Sequence, residues 1–334
     1  PRIIESIKRQ ADRMCYIGPT MANDARSELA SMMAEITPGD LTASFFTTGG
    51  GEANEAAVRL ARAYTGRQKV ITRYRSYHGA TAGAMSLTGD PRRWATEPGM
   101  SGVVRMLDPY TYRCPAGHPD PCPVCSGGPH LEELLMYENP GTVAAVMLET
   151  VTGTNGLIVP PDGYLQSIRE VCDRYGILLI LDEVMAGFGR TGKMFACENF
   201  DVVPDIMCVA KGINSGYVPL GAMVVSSPIN NWLQTNPFTT GLTYAGHPLA
   251  CASGVESIKV YSDENIVEGA ARSGQRLGAA LHEMANRHPS IGDVRGLGMF
   301  WGVELVKDRG TREPLVPFNA KGQGGGPMTA IMVE

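Results

Sequence analysis

Two residues able to do chemistry close two short apolar runs. Asp182 follows Ile177-Leu178-Leu179-Ile180-Leu181, and Lys211 follows Ile206-Met207-Cys208-Val209-Ala210. Each run is too short for a core helix and is bounded by glycine, Gly176 ahead of the first and Gly212, Gly216 and Gly221 behind the second. The pattern predicts two strands covered on both faces. In open α/β sheets ligands bind beyond the carboxyl ends of the strands. A lysine held there in an apolar setting can act as an amine nucleophile. Either residue alone also fits a strand end that simply reaches solvent, but the pair defines a candidate site.

Three further stretches supply partners. Thr47-Thr48-Gly49-Gly50-Gly51 joins the short strand Ala43-Ser44-Phe45-Phe46 to a helical segment from Glu52 to Arg62. A glycine turn opening a helix presents unpaired N–H groups at the positive end of the helix dipole, where phosphate binds; a tight turn without ligand is the plain alternative. Lys69-Val70-Ile71-Thr72 predicts a strand, after which Tyr77-His78-Gly79 offers a ring to stack on a planar cofactor, or a packed tyrosine and a hydrogen-bonded histidine. Val143-Ala144-Ala145-Val146-Met147-Leu148 predicts another buried strand, ending on Glu149.

Positioning these residues requires alternating strands and helices. Helices are expected over 2–14, 24–35, 82–87, 162–175, 249–261 and 264–287, a strand over 218–225, and a hairpin-like pair of strands over 291–306. The alternation predicts an α/β fold with a mostly parallel sheet. The expected division is 1–18 as a linker helix or part of a small domain, 19–260 as the large domain, and 261–334 as a smaller C-terminal domain.

Composition narrows the class. With 334 residues, 43% hydrophobic and 19% charged, the chain has ample material for a large globular domain and a smaller one. A net charge of -5 and the absence of a Lys/Arg run argue against nucleic acid as a partner. No apolar stretch approaches membrane-spanning length and no basic-then-apolar leader opens the sequence, so no membrane role and a cytoplasmic location are expected. Cys15, Cys172, Cys197, Cys208 and Cys251 fall in segments that suit buried thiols.

The ordered set of glycine turn, Tyr-His-Gly, Glu149, Asp182-Glu183-Val184, Lys211 and Thr243-Tyr-Ala-Gly-His-Pro resembles the class III aminotransferases, pyridoxal-phosphate enzymes of fold type I. The run LDEVMAGFGRTGK at 181–193, with Ala-Lys-Gly at 210–212 downstream, carries the resemblance, and ETVTGTNG at 149–156 is most similar to taurine:pyruvate and amine:pyruvate members. The resemblance implies pyridoxal 5′-phosphate as cofactor and a fold type I architecture, a large domain with a mostly parallel sheet flanked by helices plus a smaller α+β domain. It implies ping-pong transfer of an amino group from an amine or ω-amino acid to pyruvate or a similar keto acid. In this reading Lys211 bonds the cofactor aldehyde and shuttles the proton, and Asp182 keeps the ring nitrogen protonated. Gly50 and Gly51 hold the phosphate, Tyr77 and Val184 flank the ring, and His78 and Glu149 orient their neighbours. Thr243 reaches the phosphate of the neighbouring subunit, which implies a homodimer with shared active sites. Another reaction of the same cofactor (aminomutase, decarboxylase or racemase) and a degenerate binding fragment are the alternatives. Members of this family usually extend beyond both ends of the present sequence. A carboxylate-binding arginine is therefore expected beyond Glu334, and a helix is expected to begin near 326–332.

Cys114, His118, Cys122 and Cys125 form a separate cluster with a Cys-x-x-Cys pair. Their types and spacing suit zinc. A proline-stiffened surface loop with free thiols is the leading reading, ahead of zinc and of a disulfide, and no metal is assigned.

Overall fold

The computed structural model describes residues 1–117 and 121–319, so His118 and the helix expected near 326–332 lie outside the described residues. The helix Tyr164–Tyr175 shows how the sequence aims a strand. Gly176 ends it in the left-handed region (φ 59°). The chain then reverses, with Ile177 N–H bonding back to the Cys172 carbonyl at 2.9 Å. The apolar run that follows becomes a strand buried along its whole length.

The main sheet contains β1 (Leu41–Thr47), β2 (Lys69–Arg73), β3 (Val103–Met106), β4 (Val143–Glu149), β5 (Leu178–Asp182), β6 (Ile206–Val209) and β7 (Gly221–Ser226). Its order is β1-β7-β6-β5-β4-β2-β3. Only the pairs made by β7 are antiparallel, so one strand runs against the other six. The continuous apolar runs follow from helices on both faces. Leu179 and Leu181 pack into one core with Leu29, Met33, Leu165 and Val255, whereas Leu178 and Ile180 pack into the other with Ala53, Ala57 and Leu60 of helix Gly50–Thr65. Burying one such side chain contributes about 1.5–3 kcal/mol. The two-residue period puts Asp182 on the face shared by Leu178 and Ile180, toward helix Gly50–Thr65, and Glu183 on the opposite one.

A second, antiparallel sheet has the order β10-β9-β8, from β8 (Ile291–Leu297), β9 (Phe300–Asp308) and β10 (Glu313–Pro314). The expected hairpin over 291–306 is thus present. An Arg113–Glu304 ion pair and bonds from Arg295 to the carbonyls of Gly156 and Leu157 tie this sheet to the main one. Helix Arg2–Arg13 packs on helix Pro248–Asp263, where Ser6 Oγ donates to the Ala252 carbonyl at 3.1 Å. No described helix is long and apolar enough to cross a membrane.

The described elements without an expectation from the sequence include β3, the helices Pro123–Ser126, Gly128–Glu138 and Ser227–Leu233, the two-residue β10 and the 3₁₀ turns. One cysteine departs from its expectation. Cys15 is exposed, because it lies just past the end of a surface helix, while Cys172, Cys197, Cys208 and Cys251 are buried.

Candidate active site

Five parallel strands, β1, β2, β4, β5 and β6, end around one cavity of about 610 Å³. Register places Glu149, the last residue of β4, directly beside Asp182, the last of β5. Beyond the end of β6, Lys211 opens a 3₁₀ turn, Lys211–Ile213, and also lines the cavity. Its backbone sits in the left-handed region (φ 40°). A non-glycine residue held there costs on the order of 1–3 kcal/mol and persists only where its surroundings fix it.

Asp182 is buried and receives three donors. Asn54 Nδ2 donates to Oδ2 at 2.7 Å, the Val184 N–H to Oδ1 at 3.0 Å, and His78 Nδ1 lies 2.8 Å from Oδ2. Asn54 also donates to the His78 carbonyl at 2.7 Å, and His78 Nε2 is 3.3 Å from Thr72 Oγ1. The carboxylate is thus fixed from helix Gly50–Thr65, from the segment after β2 and from its own turn.

Glu149 is spent on backbone. Its Oε1 accepts from the Tyr77 N–H at 2.9 Å and its Oε2 from the Gly153 N–H at 2.9 Å. Burial pushes this carboxyl above the ordinary carboxylate range, the neighbouring Asp182 pushes it the same way, and His78 and the two N–H bonds pull it back. Glu183 is likewise raised by burial and braces the following loop, accepting from Thr150 Oγ1 and from the amides of Ala196 and Cys197. It is absent from the cavity lining.

The glycine turn has the openness a ligand needs. No side chain caps helix Gly50–Thr65, and the first amide to bond back is Ala53, to the Gly49 carbonyl at 3.1 Å. The amides of Gly50 and Gly51 precede that bond, so they belong to the unpaired first turn. A Cβ added to Gly49 would meet nothing within 4 Å. On the far side the packing is tight: a Cβ on Gly50 would come within 2.8 Å of Val184, and one on Gly79 within 2.5 Å of the Gly51 Cα. Thr48 is held to Glu52 Oε2 through both its N–H and its hydroxyl.

Tyr77 and Val184 both line the cavity. The Arg92 guanidinium lies 3.8 Å from the Tyr77 ring centroid, and Arg92 is itself held by Asp90 and by Thr154 Oγ1. Of the residues expected from the sequence, Gly50, Gly51, Tyr77, His78, Glu149, Asp182, Val184 and Lys211 therefore line one cavity. Thr243 does not. It is exposed, and its carbonyl accepts from Tyr16 Oη at 3.0 Å.

Asn54 and Arg92 have no counterpart in the sequence expectations. Asn54 carried a readable signal, since it is the lone polar residue on the small apolar stripe formed with Ala53, Ala57 and Ala61, and such a group needs a buried partner. Arg92 follows Pro91 in the 3₁₀ turn Pro91–Thr96 and carried none.

The family model described as Aminotransferase class-III matches residues 1–326. A probable aminotransferase of Mycobacterium tuberculosis is 40% identical over 325 residues, covering 93% of this chain and 69% of that protein. Taurine–pyruvate aminotransferase of Bilophila wadsworthia is 34% identical over 336 residues, 97% of this chain and 73% of that one. Taurine:2-oxoglutarate aminotransferase from Bifidobacterium kashiwanohense, solved with PLP and glutamate, superposes with a TM-score of 0.94 at 42% identity, covering 100% of this chain and 75% of its own. An (S)-enantioselective omega-transaminase from Thermomicrobium roseum gives 0.89 at 39% identity, with coverage of 95% and 72%.

Proposed function

Because this chain belongs to the class-III aminotransferases, fold type I enzymes that use pyridoxal 5′-phosphate, we propose that it carries an amino group from an amine or ω-amino acid to pyruvate or a similar keto acid. The transfer runs as two half-reactions of a ping-pong cycle. One observation carries the reading: a single cavity joins an uncapped glycine turn, a carboxylate with three donors and a lysine.

These residues fit the cofactor. The open side of Gly49 and the amides of Gly50 and Gly51 suit a phosphate. Tyr77 and Val184 suit the two faces of a planar ring, and Asp182 and Lys211 suit its nitrogen and its aldehyde. Bound there, pyridoxal phosphate supplies the carbon that carries the amino group and a ring that accepts the electron pair left when the donor's C–H bond breaks.

Asp182 holds a proton on the ring nitrogen, because a fixed neighbouring carboxylate favours the charged ring. His78 and Asn54 orient Asp182, and Glu149 sets the Tyr77 backbone. Lys211 Nζ takes the proton from the amine-bearing carbon of the donor and, in the second half-reaction, delivers one to the keto carbon of the acceptor. Thr243, exposed and outside this cavity, reaches the phosphate site of a second subunit, which makes the working unit a homodimer.

The test is a panel of amines and ω-amino acids, taurine included, each incubated with pyruvate or 2-oxoglutarate while alanine and glutamate are measured. Either product from any donor supports the reading. Protein that retains cofactor yet forms neither overturns it, and turnover of the amine without any keto acid favours aminomutase, decarboxylase or racemase chemistry instead.

A further inference from the structure

The cysteine cluster lies outside everything described so far. Cys122 caps the short helix Pro123–Ser126, and its Sγ accepts the Cys125 N–H at 3.4 Å. Proline at the first helical position and Gly127 in the left-handed region (φ 81°) bound this turn, so its two thiols are set on one side by local geometry. Cys114 arrives from the other end of the loop, just past the 3₁₀ turn Thr111–Arg113, and is buried.

The three sulfurs converge. Cys114 Sγ is 3.3 Å from Cys122 Sγ and 3.7 Å from Cys125 Sγ, and all three lie within 4.8 Å of one another. A disulfide needs about 2.05 Å, so no pair is bonded. Thiolates about 2.3 Å from a tetrahedral zinc ion stand about 3.8 Å apart. Among the described residues this is the one cluster of metal-ligating side chains of that kind. Three soft sulfur donors select zinc over hard cations. The N–H donated to Cys122 Sγ stabilises the anionic form a metal requires.

We infer that Cys114, Cys122 and Cys125 hold a structural zinc ion that staples the two ends of the 114–125 loop together. The segment it anchors connects the two sheets. Arg113 pairs with Glu304 of β9, the Tyr112 carbonyl accepts from Arg312 Nη1 at 2.8 Å, and the Tyr110 ring lies under Arg75 (5.1 Å) and Arg295 (4.6 Å). The metal fixes that bridge and takes no part in amino transfer.

The test uses the whole chain, purified without added metal or chelator. Zinc is measured by mass spectrometry, and thiols are counted in denaturant with chelator and no reductant. Zinc at about one per chain, with all eight cysteines titrating as thiols, is the expected result. The Cys122→Ser/Cys125→Ser variant loses the zinc. Parent protein stripped by a chelator regains zinc from zinc chloride, and with cobalt(II) in its place shows the near-ultraviolet absorption of thiolate–cobalt bonds. Two thiols fewer than eight with no zinc would mean a disulfide, and eight thiols with no zinc even after adding zinc chloride would mean unligated cysteines; either overturns the inference. Metal content and thiol count are read on the parent, so the outcome does not depend on the variant folding.

Discussion

Asn54→Ala removes two hydrogen bonds at once, and its cost can be worked from the geometry. One bond goes to the Asp182 carboxylate and one to the His78 carbonyl, each at 2.7 Å. A bond to a charged acceptor contributes about 1.5–3 kcal/mol and a neutral one about 0.5–1.5, so the variant loses about 2–4.5 kcal/mol of folding stability. Asn54 also lines the cavity, where water can replace part of what is lost, which places the expectation toward the lower end. Urea unfolding of the cofactor-free protein reads this as a lower midpoint at unchanged slope. Asp182 keeps two of its three donors and is less firmly held, so the first half-reaction slows roughly 10-fold, the equivalent of about 1.4 kcal/mol. Asn54→Asp keeps the shape but sets a second carboxylate against Asp182, and it retains the cofactor less well than the alanine variant. Unfolding within about 0.5 kcal/mol of the parent, with an unchanged half-reaction rate, would refute the assignment of Asn54 as the residue that positions Asp182.

Gly79→Ala forces a Cβ to 2.5 Å from the Gly51 Cα and 2.9 Å from Ala84 at a φ of 140°. Overpacking and backbone strain together cost at least about 2 kcal/mol, read by thermal unfolding, and the displaced glycine turn binds cofactor more weakly in a titration. Glu149 carries a pH signature. Its folded pKa is raised by burial, so the folded state binds the extra proton, and stability is greatest below the unfolded value of about 4.3 and falls as pH rises toward the folded one. Glu149→Gln removes that dependence, and its cost in chemical denaturation is therefore larger near pH 4 than near pH 7. Arg92→Leu frees the Tyr77 ring from the cation 3.8 Å away and weakens cofactor binding several-fold in a fluorescence titration, and it also lowers the unfolding midpoint because the buried Asp90 carboxylate loses its ion-pair partner.

Much of the fold was legible because it is local. Apolar runs bounded by glycine gave β4, β5 and β6 nearly to the residue, since burial on both faces leaves no other composition for such strands. Gly176 marked a helix end because only the left-handed conformation completes that turn. Asp182, Glu149 and Lys211 were visible as polar residues at the ends of those runs. What stayed hidden was tertiary. Which donors converge on Asp182 depends on helix Gly50–Thr65 packing across the strand ends, and nothing near Asp182 in sequence names Asn54. β3 lacked any alternation to mark it, being four residues at the edge of the sheet. Cys15 read as buried from the pattern around it, but the last turn of helix Arg2–Arg13 faces outward.

If Lys211 and Asp182 act on one cofactor in this cavity, Lys211 is the residue to which that cofactor attaches. Reducing the pyridoxal-phosphate-loaded protein with borohydride, then digesting it and mapping the added mass, tests it directly. The expected label lies on the peptide containing Lys211 and vanishes in Lys211→Ala, which still takes up cofactor reversibly. A label on another lysine, such as Lys193, or one that persists in Lys211→Ala, would contradict the account.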